Sequence, residues 1–229
     1  MSVFEIIEKR RHVNKFKEDI YPEKELVEDL LYKSWKVTPS KNNFMPYTLH
    51  VLGPECKFQK RKVCQLSMYN KKTTNERHNV MDIDDYSEDG FNQNFEFIRT
   101  VPYLIVAEQR VCEPNDFIRN SIEEGNNIYE QMHEELLHDI LKTTAFEVGM
   151  FKANLSALCL EQGIDVSCIA CTPHMPKPWQ DYGFDYIKYP IILVIGLGYC
   201  EEARRDVMKK EASDLDKKPE PETILRWVK

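Results

Sequence analysis

The sequence lacks any long hydrophobic run. No stretch approaches the roughly 18 apolar residues that a membrane-spanning helix needs, and the longest candidate, residues 190–199, has the length of a strand. The N-terminal residues also lack a signal-peptide pattern, because Glu5 and Glu8 interrupt the apolar positions. We therefore expect a cytoplasmic protein with no membrane partner.

A disulfide framework and a basic surface are also missing. The seven cysteines are odd in number and scattered, which favours reduced thiols. Cys168 and Cys171 have CxxC spacing, but on a strand their side chains would point to opposite faces, so we expect structural thiols. The formal net charge is −7 and no long basic face is evident, which argues against a nucleic-acid partner.

Several patterns resemble ligand-binding motifs but lack a required residue. His133 and His138 are five residues apart, whereas zinc binding from one helical face needs a spacing of four. The acidic segment 82–90 has Ser87 where a calcium loop needs glycine. Segment 196–201 lacks the third glycine of a dinucleotide-binding motif. We predict no metal site, and no convincing triad or carboxylate pair indicates a catalytic side chain.

The 229 residues read as one domain, 1–229, whose hydrophobic and charged fractions of 42% and 30% are ordinary for a soluble globular protein. Helices are predicted at 2–11, 22–35, 55–68 and within 115–162, and strands at 47–53, 101–108, 166–171 and 190–197. Their irregular order predicts an α+β sandwich. The strand 101–108 is apolar enough to be buried on both faces, and the helical part 145–162, apolar nearly all round, should be buried and end at Gly163.

Two polar segments interrupt this pattern. Residues 70–99 are polar and poorly periodic, and we interpret them as a lid-like excursion. Residues 201–213 look like a charged helix, and with the polar remainder they form a predicted C-terminal arm, 201–229.

Positive charge and hydrogen-bond donors gather near the N-terminus, in Arg10, Arg11, His12 and Asn14. The planar fork of arginine suits phosphate, although cations are also favoured at the exposed end of a helix. A second cluster, residues 39–43 (PSKNN), is a turn rich in amide and hydroxyl groups just before a predicted strand.

Together and in this order, the two clusters resemble motifs of the flavin-dependent nitroreductase family. The first family motif typically reads Arg-Arg-Ser-x-Arg-x-Phe and grips the FMN phosphate. The second typically reads Pro-Ser-x-x-Asn-x-Gln-Pro-Trp and lies beside the ribityl chain and ring. The matching residues here are Arg10, Arg11, His12, Asn14 and Phe16 for the first motif, and Pro39, Ser40, Lys41, Asn43, Pro46 and Tyr47 for the second.

The resemblance extends to the C-terminal half. IACTP, residues 169–173, is similar to the family segment that lines the flavin ring, which implies contacts from Ala170, Cys171 and the Thr172 hydroxyl. The strand ending in GLGY resembles the last core strand of the family. DLDKKPEPE resembles its tail, which implies that Lys217 and Lys218 lie at the flavin phosphate.

The resemblance implies a three-layer α-β-α sandwich around a mixed, mainly antiparallel sheet, as an intertwined homodimer with FMN sites at the interface. It also implies an oxidoreductase that passes a hydride from NAD(P)H through FMN to an electron-poor acceptor, such as a nitroaromatic or quinone, in ping-pong turnover. The flavin carries the redox chemistry, so no catalytic side chain is required. Two alternatives stay open: a reductive dehalogenase resembling iodotyrosine deiodinases, and a non-catalytic flavin- or partner-binding protein.

Two residues depart from the family pattern in the first motif. His12 replaces the usual serine and Asn14 replaces a cation. Because a hydrogen bond to a charged group contributes about 1.5–3 kcal/mol, the missing cation is expected to weaken phosphate binding, unless His12 or Lys15 compensates.

Overall fold

The computed structural model describes residues 2–67, 96–112, 120, 123–124, 128–203 and 220–225; of residues 42, 96, 128–141, 221 and 222 it describes the backbone alone. The acidic segment 82–90 and the side chains of His133 and His138 therefore lie outside the described part. The helices are α1 (Val3–Glu8), α2 (Lys24–Val37), α3 (Lys57–Ser67), α4 (Glu96–Thr100), α5 (Ile128–Glu161), α6 (Pro176–Asp181) and α7 (Pro221–Ile224), with a 3-10 turn at Lys41–Asn43. The strands are β1 (Val13–Phe16), β2 (Tyr47–Leu52), β3 (Tyr103–Gln109), β4 (Asp165–Ile169), β5 (Ile191–Gly198) and β6 (Cys200–Ala203).

The central sheet contains four strands in the order β2-β3-β5-β4, and each neighbouring pair is antiparallel. In β3 the side chains of Tyr103 and Ile105 enter one apolar cluster, whereas those of Leu104 and Val106 enter the other. Alternate side chains of a strand point to opposite faces, so β3 is buried on both. The predicted central strand at 101–108 is confirmed.

Helices cover both faces of this sheet. Val27 and Leu30 of α2 pack with Val148, Phe151 and Leu155 of α5 on one face. On the other face lie residues of α3, α4 and α6, among them Val63, Phe97, Ile98 and Trp179. The three-layer α-β-α arrangement is therefore confirmed, and every strand pairing in the described part of the chain is antiparallel.

Helix α5 ends as predicted but is not buried nearly all round. Gly163 has φ +72°, and the Ile164 N–H donates to the Cys159 carbonyl at 2.8 Å, which closes the helix. Val148 and Phe151 face the sheet, whereas Phe146 is 67% exposed. Within the single chain the sheet covers only one side of α5, so the predicted burial on all sides stays a prediction for an assembly of chains.

A small second sheet pairs β1 with β6 antiparallel, with Val13 opposite Ala203 and Phe16 opposite Cys200. The helix predicted at 201–213 is therefore wrong for residues 201–203. Backbone pairing with the N-terminal segment overrides the helical pattern of charges there. Residues 204–219 lie outside the described part.

The excursion predicted at 70–99 ends earlier than expected. Residues 68–95 lie outside the described part, but Glu96–Thr100 form α4. Phe97 and Ile98 are fully buried, and the Phe97 ring makes an edge contact with Phe16. Because the preceding residues in the sequence are polar, Phe97 and Ile98 were assigned to the excursion and not to the core.

The described residues hold no group of three or more His, Cys, Asp or Glu side chains arranged for a metal ion. Cys168 and Cys171 are half-buried free thiols that pack against opposite apolar clusters. The predicted strand at 166–171 is shorter than expected, because β4 ends at Ile169 and Cys171 lies beyond it. Within the described residues, no helix combines the length and apolar character needed to cross a membrane.

The glycines near the end of β5 allow close packing rather than nucleotide binding. A Cβ atom added at Gly198 would lie 2.7 Å from Cδ and Cγ of Pro102 and 3.0 Å from Cδ1 of Phe16. A Cβ at Gly196 would lie 3.0 Å from Cγ2 of Val101. Because these glycines have no side chain, the segment before β3 and the end of β1 can pack closely against β5.

Lys60 of α3 is buried, with an exposed fraction of 2%. Its ammonium donates to the carbonyls of Val101 at 2.8 Å and Pro102 at 2.9 Å, in the segment that joins α4 to β3. Burial lowers the pKa of Lys60 from its ordinary value of 10.5 to about 8, because an apolar environment disfavours the charged amine. This lysine links α3 to the entry of the central strand.

We expect Gly198→Ala to lower the free energy of unfolding by about 1–3 kcal/mol, because the new methyl group would overlap Pro102. Gly149→Ala is the matched control, since a Cβ at that helical position meets nothing within 4 Å. The control should gain about 0.5–1 kcal/mol from helix propensity. Urea unfolding curves measure both, and equal effects would contradict the packing role.

Lys60 should make stability depend on pH. Between about pH 8 and pH 10.5 the unfolded chain binds more protons at this residue than the folded chain, so its contribution to the free energy of unfolding rises with pH. The free energy of unfolding of the wild type, minus that of Lys60→Met, should therefore increase with pH across this window, as measured by urea titration. Lys57→Met, at an exposed position of the same helix, should show no such growth.

Candidate functional site

The N-terminal basic cluster is already partnered by acidic side chains. Arg11 forms a bidentate pair with Asp165: Nε lies 2.8 Å from Oδ1 and Nη2 lies 3.0 Å from Oδ2. Asp165 is 4% exposed at the start of β4, and its Oδ2 also accepts from the Cys200 N–H at 3.1 Å. Arg11 therefore ties the segment before β1 to the central sheet.

The same cluster meets the acidic strand β6. The Lys15 ammonium lies 3.0 Å from Glu201 Oε1, and the buried Asn14 amide donates to Glu202 Oε2 at 3.3 Å. Arg10 is exposed and His12 is half-buried. Two cations and one neutral amide of this segment therefore contact three carboxylates of the chain itself.

The predicted loop at 39–43 is a tightly hydrogen-bonded turn. Ser40 Oγ accepts from the Met45 N–H at 2.8 Å, and the Ser40 carbonyl accepts from the Asn43 N–H at 3.1 Å. Asn43 and Met45 have φ of +55° and +46°, a left-handed conformation that non-glycine residues adopt infrequently. Pro39, Lys41 and Asn43 are exposed at the surface of this turn.

A buried carboxylate lies beneath the turn. Glu147 of α5 is 3% exposed, and its Oε1 accepts from the Lys41 N–H at 3.1 Å. Its Oε2 is buried and has no hydrogen-bond partner among the described residues. Burial, and secondly the charge of Glu147, raise the pKa of Tyr47 to about 12, which keeps the phenol protonated.

The segment after β4 carries a second buried polar atom. The Thr172 hydroxyl is buried and likewise has no hydrogen-bond partner within the described part. Ala170 is exposed and Cys171 is half-buried. An unsatisfied buried hydroxyl is unfavourable, so Thr172 has an unfilled capacity for a hydrogen bond.

Hydrogen bonds hold the backbone next to Thr172. The Trp179 indole donates to the Pro173 carbonyl at 2.8 Å. The Ile191 N–H donates to the His174 carbonyl at 2.8 Å, and His174 Nδ1 lies 3.0 Å from the Ile191 carbonyl, which can only accept. The segment is thus held against the first residue of β5 and against α6.

Glu108 fixes the neighbouring loop at the same end of the sheet. Its Oε1 accepts from the N–H groups of Lys188 at 2.5 Å and Tyr189 at 2.6 Å, and its Oε2 lies 2.6 Å from His50 Nε2. Glu108 is 4% exposed, so these partners offset its desolvation. The loop that leads into β5 is therefore anchored to β3.

The structure does not bring the predicted site residues together within one chain. Tyr47 and Ile169 lie at the same end of the sheet, so the turn at 39–43 and Thr172 share that end. The turn precedes one edge strand, β2, and Thr172 follows the other, β4; these two strands are roughly 14 Å apart at about 4.8 Å per strand. The Arg11–Asp165 pair lies at the other end of β4, roughly 13 Å from Ile169. Lys217 and Lys218 lie outside the described residues.

Sequence reasoning missed the acidic partners. Glu147 is a lone carboxylate within the apolar stretch 145–151, and that isolation is a usable signal for a buried polar role. Asp165 follows the helix-ending Gly163 and opens a strand, but nothing in the sequence connects it with Arg11. Glu201 and Glu202 were assigned to a helix, so their pairing with β1 was not foreseen.

A cleft of about 980 Å³ opens at the end of the sheet away from Thr172. It is lined by residues of both charge signs, including Glu18, Lys60 and Arg99. Among the described residues, none of those predicted to contact flavin lines it. The cleft is therefore separate from the candidate site.

Comparisons with solved structures identify the fold. A candidate NAD(P)H:FMN oxidoreductase from Staphylococcus epidermidis matches with a TM-score of 0.56 and 17% identity over 88% of each chain. A nitroreductase family protein from Streptococcus pneumoniae matches with 0.55 and 18% identity over 88% of this chain and 92% of the other. A candidate nitroreductase from Exiguobacterium sibiricum, solved in complex with FMN, matches with 0.60 and 13% identity over 100% and 98%.

No protein-family model and no curated protein sequence matches the chain. The solved structures therefore identify the architecture. At 13–18% sequence identity, the evidence for it is the similarity of the three-dimensional structures. The chain has the fold of the nitroreductase-type proteins, as its sequence motifs predicted.

Proposed function

We propose that this protein is a flavin-dependent oxidoreductase of the nitroreductase type. The observation that carries the proposal is that two buried polar atoms, Thr172 Oγ1 and Glu147 Oε2, have no hydrogen-bond partner among the described residues. Each belongs to, or lies directly beneath, one of the two segments whose sequence resembles a flavin-ring motif. The fold shared with the FMN complex from Exiguobacterium sibiricum supports the same reading.

The residues at the ring segments fit a flavin. A flavin ring offers an imide N–H donor and carbonyl and ring-nitrogen acceptors. The Thr172 hydroxyl can donate to such an acceptor, and a carboxylate oxygen such as Glu147 Oε2 can accept. FMN is the proposed cofactor, with Ser40, Lys41 and Asn43 beside it and NAD(P)H as electron donor.

The bound flavin would supply the hydride chemistry, in ping-pong turnover with an electron-poor acceptor such as a nitroaromatic or quinone. The chain's own residues would bind and orient the flavin. Hydrogen bonds from the Trp179 indole and the Ile191 N–H hold the segment next to Thr172 in place, and Glu147 fixes the turn at Lys41. A rigid first layer keeps the reacting groups aligned and excludes water.

We also propose a homodimer with the flavin site between the chains. No residue of α1 is buried, and Val3 and Phe4 are 68% and 71% exposed. Phe146 of α5, the helix that α1 contacts, is 67% exposed. Apolar side chains exposed on adjacent helices indicate a covered surface. A second chain would also allow the separated turn and Thr172 segment to meet across the interface.

No contact among the described residues favours a reductive dehalogenase or a non-catalytic binding protein over the oxidoreductase. A cytoplasmic location stays a prediction from the sequence.

The first test is the absorbance spectrum of purified protein, with FMN added if the protein is colourless. We expect a flavin spectrum with about one FMN per chain, bleached by NAD(P)H. Thr172→Val should weaken flavin binding by roughly threefold to tenfold, the effect of one neutral hydrogen bond of about 0.5–1.5 kcal/mol. Fluorescence quenching of added flavin measures the dissociation constant.

Ser156→Ala is the control for this variant, because Ser156 is also buried but its hydroxyl bonds to Lys152 of its own helix. It should leave flavin affinity unchanged. A protein that binds no flavin under any of these conditions would refute the proposed function.

The dimer is tested by Phe4→Asp, which places a charge in the exposed apolar surface of α1. We expect wild-type protein to sediment as a dimer and the variant to dissociate at micromolar concentration. Phe58→Asp is the matched control, because Phe58 is 66% exposed on α3, across the sheet from α5. A monomeric wild type, or equal effects of both variants, would contradict the proposed interface.

A further inference from the structure

We propose that Arg110 is a positioning residue of the proposed flavin site: it holds the turn at residues 39–45 in the conformation that presents Lys41 and Asn43 to the flavin. This inference rests on the proposed function and concerns the same site. It adds a residue that neither sequence motif contains, because Arg110 follows β3 and lies 65 residues after Met45 in the chain.

The pairing of β2 with β3 puts Arg110 next to the turn. Tyr47, the first residue of β2, lies opposite Gln109, the last residue of β3. One position further, the Arg110 N–H donates to the Pro46 carbonyl at 2.9 Å. The antiparallel hydrogen-bond pattern thus continues one residue past both strands. Arg110 therefore reaches the turn from the end of the central strand, which is fixed in the core.

The Arg110 guanidinium binds two successive carbonyls of the turn. Its Nε and Nη2 donate to the Met45 carbonyl at 3.2 Å and 3.0 Å, and Nη2 also donates to the Phe44 carbonyl. The N–H donors of a guanidinium lie in one rigid plane, so both carbonyls must turn toward the same side. Each carbonyl also has a second donor, the Cys112 thiol at 3.3 Å and the Tyr47 N–H at 2.7 Å respectively. Loss of Arg110 would therefore leave neither carbonyl unsatisfied, and its contribution is to orient them.

The turn needs such contacts because its backbone is unfavourable. Asn43 and Met45 have φ of +55° and +46°, a region that residues other than glycine occupy only where the surrounding structure enforces it. On the inner side of the turn, the buried Glu147 accepts from the Lys41 N–H at 3.1 Å. Arg110 is exposed, so it provides the matching contact from the outer side.

The directions of the exposed side chains depend on this backbone. Lys41 and Asn43 are exposed on the turn, at positions that the sequence motif places beside the flavin. A left-handed residue directs its Cβ differently from an extended or helical one, so a relaxed turn would redirect Asn43. With Arg110 in place the turn is formed before a ligand arrives, and flavin binding does not bear the cost of ordering it.

The experiment compares wild type with Arg110→Gln, using fluorescence quenching of riboflavin and of FMN on protein freed of flavin. We expect the variant to bind both flavins about tenfold more weakly, which corresponds to about 1.4 kcal/mol. The association rate should fall, because fewer molecules hold the competent turn. Unchanged affinities would overturn the inference and leave the proposed flavin function intact. A wild-type protein that binds neither flavin would overturn both.

The comparison of the two flavins separates positioning from a contact with the phosphate. Arg61→Gln is the matched control, because it removes the same charge at an exposed position of α3, across the sheet from α5, and it should alter neither affinity. A loss of FMN binding alone in Arg110→Gln, beyond that of the control, would show that Arg110 acts on the phosphate. A change confined to the dissociation rate would show a direct contact with bound flavin. Either result would overturn the inference.

Two further measurements distinguish this role from general stability. Hydrogen exchange should become faster in Arg110→Gln at the amides of residues 43–45, whose N–H groups all bond within the turn, and stay as in wild type in β3. Arg110→Lys keeps the charge but lacks the planar fork, so we expect a loss of roughly threefold or more for both flavins. Wild-type affinity in Arg110→Lys, or unchanged exchange in the turn, would contradict the inference. Should Arg110→Gln fail to fold, the lysine variant decides the question.

Discussion

The burial of both faces of β3 is the constraint on which the rest of the structure depends. Tyr103 and Ile105 face one layer of helices, and Leu104 and Val106 face the other. A strand buried on both sides needs neighbours at both edges, and β2 and β5 provide them through antiparallel pairing. This pairing sets which ends of the strands lie together, and hence where the turn at 39–43 and the Thr172 segment can be.

Buried carboxylates connect this framework to the candidate site. Glu108 anchors the loop before β5, Glu147 holds the turn at Lys41, and Asp165 binds Arg11. Each buried charge lies where its hydrogen-bond donors belong to a different segment of the chain. Because a buried carboxylate without donors is strongly unfavourable, these contacts fix the loops in relation to the sheet. Glu147 still has one oxygen to offer a ligand.

The N-terminal cluster contacts carboxylates of the chain itself. Two adjacent arginines precede β1, a pattern that suits a phosphate. The carboxylates of Asp165, Glu201 and Glu202 then partner Arg11, Lys15 and Asn14. These contacts tie the N-terminal segment to β4 and β6.

The sequence by itself determined the central strand, the helix that ends at Gly163 and the nitroreductase-type fold. These features follow from periodicity, from the end signal of a helix and from motif order, which are local properties. Only the tertiary structure decided that Phe97 and Ile98 join the core, that residues 201–203 pair with β1, and that Arg11 meets Asp165, 154 residues away. Pairings between distant segments depend on how the sheet brings them together, and no local pattern encodes that.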